Sequence, residues 1–192
     1  FKGSRQLTKF LNSPVLPYHD YYFFRERRAP KMCKWILNNK NFISWLDRSP
    51  ESGSKSRILW IYGRPASGKL VLASFIIRKL QKQGLNPHYF FVRFTSKDKS
   101  ELEMMLLSSA YQVAHTTEAY AARLKKFAKQ GIVLRRADSH ALWSLLFKQT
   151  LFQLEESSLA GKSPLYFIID GLDKVDNPTL FLSFLFELPL SS

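Results

Sequence analysis

The residues whose types and spacing point most directly to chemistry form a glycine-containing loop that ends in a lysine. Its sequence is Gly63-Arg64-Pro65-Ala66-Ser67-Gly68-Lys69. The two glycines let the backbone curl so that its N–H groups point at an anion, and a helix that starts at once adds the positive end of its dipole. Lys69 can then reach the β and γ phosphates of a nucleotide. The loop therefore predicts a phosphate site; the alternative is a tight turn with a surface lysine.

The residue that follows the lysine departs from the full phosphate-loop motif. That motif requires Ser or Thr, whose hydroxyl binds Mg²⁺, and this chain has Leu70 there. An isobutyl group is no magnesium ligand. We therefore expect residues 63–70 to bind an anion through backbone groups and Lys69, with metal-assisted chemistry impaired.

A second candidate lies about a hundred residues further on. The apolar run Leu165–Ile169 ends in Asp170, and Asp173 follows. An aspartate at the end of a buried strand is the arrangement that holds Mg²⁺ in a Walker B site, although a carboxylate also suits an ordinary turn. Asp170 is thus the candidate metal residue. Lys174 brings a positive charge beside Asp173.

Alternating strands and helices are expected to position these residues. The run Arg57–Tyr62 predicts a buried strand before the loop, and Leu70–Gln83 predicts a helix after it. The other predicted elements are strands at Tyr89–Phe94 and Leu165–Ile169 and helices at Glu101–His115, Glu118–Gln130, Ser139–Glu156 and Pro178–Phe186. This alternation predicts an α/β fold whose parallel sheet is covered by helices on both faces.

The first 56 residues are predicted to form a lead-in rather than part of the sheet. Prolines and clustered aromatic residues favour an irregular lead-in rather than a long helix over residues 1–30. Met32–Leu46 suggests two short helices separated by Asn38–Asn41. Ser49–Ser56 reads as a polar loop. We divide the chain into a lead-in, residues 1–56, and the start of a nucleotide-binding domain, residues 57–192.

Composition narrows the class of protein. The 192 residues include 29 Lys and Arg against 15 Asp and Glu, a formal net charge of +14. The single cysteine, Cys33, excludes an internal disulfide and favours a reducing, cytoplasmic setting, and no stretch is apolar and long enough to predict a membrane span. The basic residues fall in several clusters, a pattern typical of solvated faces. Nothing in the sequence beyond the net charge therefore supports a nucleic-acid partner.

Two segments resemble a known family. LWIYGRPASGK at residues 59–69 and FIIDGLDKVD at residues 167–176 are similar to the NACHT domain of STAND-class P-loop NTPases, particularly the fungal NLR-like proteins. The resemblance implies a P-loop NTPase-type parallel sheet flanked by helices and an ATP/ADP switch in innate-immune signalling. It also implies a resting state bound to ADP, homo-oligomerisation on activation, and contacts with other domains of a parent chain.

The resemblance also implies roles for individual residues. Gly63, Gly68 and Lys69 would bind the phosphates, Asp170 the water shell of Mg²⁺, and Asp173 would help orient an attacking water. Leu70 departs from the family pattern, as does Lys174, which stands in place of the glutamate that completes DGLDE. Since both departures concern metal and catalysis, we expect weak or absent hydrolysis.

Family members continue beyond the Walker B strand with a sensor strand that lies between it and the loop strand. By resemblance, a sheet ending at Ser192 is incomplete, and residues 1–192 alone are expected to aggregate, pair edge to edge or need the rest of the chain. Two other functions stay open. One is a competent NTPase, and the other is an interaction module or decayed paralogue that binds acidic partners through its basic surface.

Overall fold

The computed structural model describes residues 2–12, 14–47, 58–93, 101–134, 137–154 and 164–188. The described elements form a mixed α/β structure that is mostly helical. Its helices are α1 (Lys2–Phe10), α2 (Tyr18–Glu26), α3 (Lys40–Leu46), α4 (Lys69–Lys82), α5 (Leu102–Thr116), α6 (Glu118–Lys129), α7 (Ser139–Trp143) and α8 (Pro178–Phe186). Its strands are β1 (His88–Phe91) and β2 (Phe167–Asp170).

The two strands pair in parallel, with His88 opposite Phe167 and Phe91 opposite Asp170. One further hydrogen bond, from Val92 N to Asp170 O at 2.9 Å, extends the ladder past the end of β1. Parallel strands finish at the same edge of a sheet, so Asp170 and the residues after Phe91 meet there. In open α/β sheets that carboxyl edge is where ligands bind.

Helices cover both faces of this small sheet. Tyr89, Phe91 and Ile168 pack with residues of α2 and α4 on one face, whereas Phe90, Phe167 and Ile169 pack into the larger core built around α5 on the other. The alternation follows from the period of two along a strand. The predicted covered parallel sheet is confirmed at this coarse level.

The outer edge of β1 is closed by a side chain instead of a strand. Gln112 of α5 accepts a hydrogen bond from Tyr89 N at 3.0 Å and donates one to Tyr89 O at 2.9 Å. All three groups are buried, so the amide satisfies a backbone donor and acceptor that water does not reach. Gln112 thereby joins α5 to the backbone of β1.

The predicted strand at Arg57–Tyr62 is not formed in its described part. Residues 58–62 carry no strand assignment, and Trp60 and Tyr62 are exposed. The composition of this run favours a strand, but a strand also needs a lateral neighbour, and the ladder of the described residues joins only β1 to β2. Arg57 and the predicted loop Ser49–Ser56 lie outside the described residues.

The aromatic stretch near the start is helical, contrary to the prediction of irregular structure. Pro17 occupies the N-cap of α2, where a residue without an N–H interrupts no helical hydrogen bond. Tyr21 is buried against α4, and its hydroxyl donates to Gln81 Oε1 at 2.8 Å. Tertiary packing therefore stabilises a helix in a sequence of weak intrinsic propensity.

The remaining elements follow the predictions, apart from α1, which is helical within the predicted irregular lead-in, and two changes of helix type. Lys34–Asn38 forms a 3₁₀ turn, and Asn39 caps α3 by accepting hydrogen bonds from the amides of Asn41 and Phe42. The helix predicted over Ser139–Glu156 begins as α7 and continues as a π-helical segment, Ser144–Leu151. Residues 155 and 156 lie outside the described part of the chain.

Among the described residues, none of the helices is both long and apolar enough to cross a bilayer.

Candidate functional site

The loop at Gly63–Gly68 leads directly into α4. Ala66 and Gly68 adopt left-handed backbone conformations, with φ of 60° and 86°, and Ser67 N donates to Arg64 O at 3.2 Å. Gly68 is the N-cap of α4 and carries no side chain, so it leaves the first amides of the helix open. A Cβ on Gly63 would lie 3.0 Å from Ser67 Oγ. The loop is thus a tight, exposed turn at a helix N-terminus.

Lys69 is held by the loop that precedes it. Its Nζ donates to Gly63 O at 2.6 Å and to Arg64 O at 2.9 Å. Both contacts run to backbone carbonyls, and none of the ion pairs between described residues involves Lys69, so its ammonium charge lies over the loop. Incoming phosphate oxygens would compete with these two carbonyls for the same N–H donors.

Asp170, at the end of β2, shares the electrostatic surroundings of this lysine. Burial raises the pKa of Asp170, the charges of Lys174 and Lys69 act to lower it, and Asp173 acts to raise it. Lys69, Lys174 and Asp173 therefore all contribute to the electrostatic environment of Asp170. Asp173 itself is exposed, in the 3₁₀ turn Leu172–Lys174.

The third nearby acid, Asp176, serves a structural purpose. Its Oδ1 accepts a hydrogen bond from Leu102 N at 3.1 Å, which satisfies an amide in the first turn of α5. Asn177 next to it caps α8 by accepting from Leu180 N at 3.0 Å. Asp170 and Asp173 are therefore the carboxylates left for chemistry in this segment.

The sequence matches the model of the family described as nephrocystin 3, N-terminal, over residues 31–192. The chain belongs to this family. A comparison with curated proteins and one with solved structures found no match. The family matched is not the NACHT family that the motifs resemble, and the nephrocystin 3 N-terminal region includes the loop, Asp170 and Asp173 but neither α1 nor α2.

The residues of this nephrocystin 3 N-terminal region fit a phosphate group. The loop offers backbone amides at the start of a helix of 14 residues, Lys69 Nζ lies over the same loop, and the loop sequence contains no acidic residue that would repel an anion. Arg64 and Ser67 are exposed and add further donors.

The fit to Mg²⁺ is poorer. Leu70 packs against the apolar cluster that contains Ala73 and Ile77, so its side chain is turned to the core and supplies no ligand. Within the described ranges, no three His, Cys, Asp or Glu side chains are gathered as metal ligands. Asp170 and Asp173 are the available carboxylates, and Lys174 places a cation beside them.

Gly171 is a site residue that the sequence analysis did not single out. Its φ is 80°, and a Cβ built on it would lie 3.0 Å from Val92 O. It therefore lets the turn after Asp170 pass close to the end of β1. The signal in the sequence is a glycine directly after an apolar run that ends in aspartate.

Proposed function

We propose that this chain binds ATP or ADP through residues 63–70 and acts as a nucleotide-binding signalling switch with weak or absent hydrolysis. The observation that carries the proposal is Lys69, which starts α4, donates hydrogen bonds to two carbonyls of its own loop and carries a charge that acts to lower the pKa of Asp170. The proposal places the loop, the N-terminus of α4 and the carboxylate of Asp170 at one edge of the parallel sheet.

The proposed roles follow the chemistry of each group. The amides of the loop and of the first turn of α4 hold the phosphate oxygens, and Lys69 neutralises their charge. Any Mg²⁺ that enters with the nucleotide would supply charge neutralisation at the phosphates, with Asp170 as its protein ligand. Asp173 is proposed to orient water, and this role is weakened because Lys174 follows it directly in the sequence and its charge also acts on Asp170.

The larger setting is also a proposal. Motif similarity supports a NACHT-type, P-loop NTPase-like arrangement, with residues 1–56 as a lead-in and residues 57–192 as the beginning of the nucleotide-binding domain. It supports a cytoplasmic NLR-like parent whose other domains contact this one and which forms homo-oligomers on activation. Leu70 favours the switch over the competent NTPase, because it removes direct metal ligation.

Replacing Lys69 with alanine tests the phosphate site. We expect the wild-type chain to bind ADP and ATP with affinities that change little when Mg²⁺ is withdrawn, since Leu70 supplies no ligand. Lys69→Ala should weaken binding of either nucleotide by at least about tenfold, because a charged hydrogen-bonding group contributes about 1.5 to 3 kcal/mol. Isothermal titration calorimetry measures both, and ATP turnover is followed in the same samples.

The matched control is Lys79→Ala, which removes the same charge from the same helix about three turns away. It should leave nucleotide affinity unchanged. Equal ADP affinity in the wild type and Lys69→Ala would refute the phosphate site, and robust turnover stimulated by Mg²⁺ would refute the weak-hydrolysis assignment.

A further inference from the structure

Three arginines converge where α2 packs against α4. The guanidinium carbon of Arg25 lies 4.7 Å from the ring centroid of Tyr22, and that of Arg28 lies 5.2 Å from the ring centroid of Phe75 on α4. Arg78 is exposed on α4, one helical turn after Phe75. Burial raises the pKa of Tyr21, and a hydrogen bond from Arg25 and the charges of Arg25 and Arg78 oppose that rise.

The residues Arg25, Arg28 and Arg78, together with the exposed rings of Tyr18 and Tyr22, are called here the α2–α4 basic surface. Lys82 stands one helical turn beyond Arg78 and faces the same side of α4. The surface is therefore a local concentration of positive charge and not only a share of the net charge of the chain.

Stacking prepares two of these arginines to bind anions. A guanidinium that lies over an aromatic ring keeps its N–H donors in its own plane, where they remain available to phosphate oxygens. Arg28 uses one donor to bind Met32 O at 3.0 Å, which holds the head group further. Side chains already restrained in this way lose less conformational freedom when they bind a phosphate.

Little negative charge offsets the surface. The sequence of α4 contains no acidic residue. Of the two acids in α2, Asp20 is buried and ion-paired with Arg93, which leaves Glu26 as the exposed carboxylate of this helix pair.

The exposed side chains indicate which polyanion fits. Tyr18 and Tyr22 are 43% and 49% exposed, and base stacking on such rings is a sequence-tolerant source of affinity for single strands. None of the exposed residues of α2 and α4 is aliphatic. Insertion into a lipid surface would use apolar side chains at these positions, so the chemistry favours stacking and phosphate contacts over membrane attachment.

We propose that the α2–α4 basic surface binds single-stranded nucleic acid, with the arginines on phosphates and the exposed tyrosines against bases. This site is separate from the phosphate loop. Arg78 lies nine residues after Lys69 on α4, which corresponds to about 14 Å along the helix axis. The site therefore does not depend on the proposed nucleotide switch.

The test measures fluorescence anisotropy of a fluorescein-labelled single-stranded oligo(U) with the full chain. We expect binding that weakens as salt rises. Arg25→Gln combined with Arg78→Gln should lower the affinity by about tenfold or more and make the slope of log K against log salt shallower by about 1.4, or about 0.7 for each phosphate that is no longer neutralised. The matched control, Lys126→Gln with Lys129→Gln, removes two charges from α6 and should change the affinity by less than about twofold.

Arg78 is exposed, so the single variant Arg78→Gln keeps the test valid if the double variant loses its fold; it should weaken binding by about threefold or more. Both arginine variants should bind ADP like the wild type, and Lys69→Ala should bind oligo(U) like the wild type. Absence of oligo(U) binding, or equal weakening in the arginine and α6 variants, would overturn the proposal. So would binding to phosphatidylserine vesicles but not to oligo(U) through these arginines.

Discussion

Gly171 controls how closely the chain passes from β2 to the turn that carries Asp173. It combines a positive φ with a Cβ direction that points at Val92 O, 3.0 Å away. Gly84 has a similar φ of 77°, but a Cβ there would meet nothing within 4 Å. Substitutions at the two glycines therefore distinguish the cost of backbone strain, which both share, from the cost of a steric clash, which arises only at Gly171.

We predict that Gly171→Ala lowers the free energy of unfolding more than Gly84→Ala does. Each variant should lose about 1 to 2 kcal/mol because an L-residue is strained at positive φ. Gly171→Ala should lose about 1 to 2 kcal/mol more, since either Val92 or the turn must move. Urea unfolding of both variants measures the difference. Equal destabilisation would mean that the turn relaxes freely and that the close approach of Gly171 to Val92 O costs the alanine variant nothing.

At the same scale, the candidate site residues follow from local signals in the sequence, whereas the backbone strain does not. Glycine and lysine spacing marks residues 63–69 as candidates, and an apolar run that ends in aspartate marks Asp170. The left-handed conformation of Ala66 has no signal in its residue type, because residues with a Cβ seldom adopt it. Gly171 meets Val92, which is far away in the sequence, and periodicity carries no information about such contacts.

Among the elements, α5 makes a polar contact with β1 that its mostly apolar sequence does not suggest. Gln112 lies in a helix with eleven buried residues and bonds both backbone groups of Tyr89. A strand edge buried under a helix would otherwise leave a donor and an acceptor without partners. The amide therefore substitutes for a third strand on this side of the sheet.

Gln112→Leu is expected to destabilise the chain by about 2 to 6 kcal/mol, because two buried backbone groups then lose their partners at about 1 to 3 kcal/mol each. Gln149→Leu, at an exposed position, is the control and should change stability by less than about 0.5 kcal/mol. Thermal melts give the stabilities, and hydrogen exchange should show faster exchange at the Tyr89 amide. Unchanged exchange there would contradict this account of the sheet edge.

Helices were easier to predict than strands and the lead-in. The α4 and α8 boundaries follow from apolar spacing and from the caps at Gly68 and Asn177, which are local features. By contrast, α2 depends on burial against α4, and the run before Gly63 depends on a lateral partner. Prolines before α2 resembled helix breakers in the sequence, although Pro17 only marks where the helix starts.

For the molecule as a whole, one buried histidine couples folding to pH. His88 begins β1, stacks on Phe167 with ring centroids 5.1 Å apart, and places Nε2 2.9 Å from Thr116 Oγ1. It is 1% exposed, and its Nδ1 has no hydrogen-bond partner among the described residues. Burial lowers the pKa of His88 from 6.5 to about 4, although the neighbouring backbone of Tyr166 and Gln112 acts to raise it.

The lowered pKa of His88 predicts that the folded chain becomes less stable in acid. Between pH 6.5 and about 4 the unfolded chain binds a proton at His88 that the folded chain does not, so the free energy of unfolding must fall as pH falls. The loss should reach about 2 kcal/mol by about pH 5 and about 3 kcal/mol near pH 4. Asp170 acts in the opposite direction, because burial raises its pKa and favours the fold when the carboxyl is protonated.

Comparison with His88→Phe isolates the histidine, since phenylalanine retains a ring against Phe167 and does not titrate. Urea unfolding of both proteins at several pH values should show a difference in stability that is constant above about pH 7 and shifts in favour of the variant as pH falls. The contribution of Asp170 cancels in this difference because both proteins contain it. Parallel pH profiles would show that His88 is protonated without cost in the fold, and the buried environment described for β1 would then be wrong.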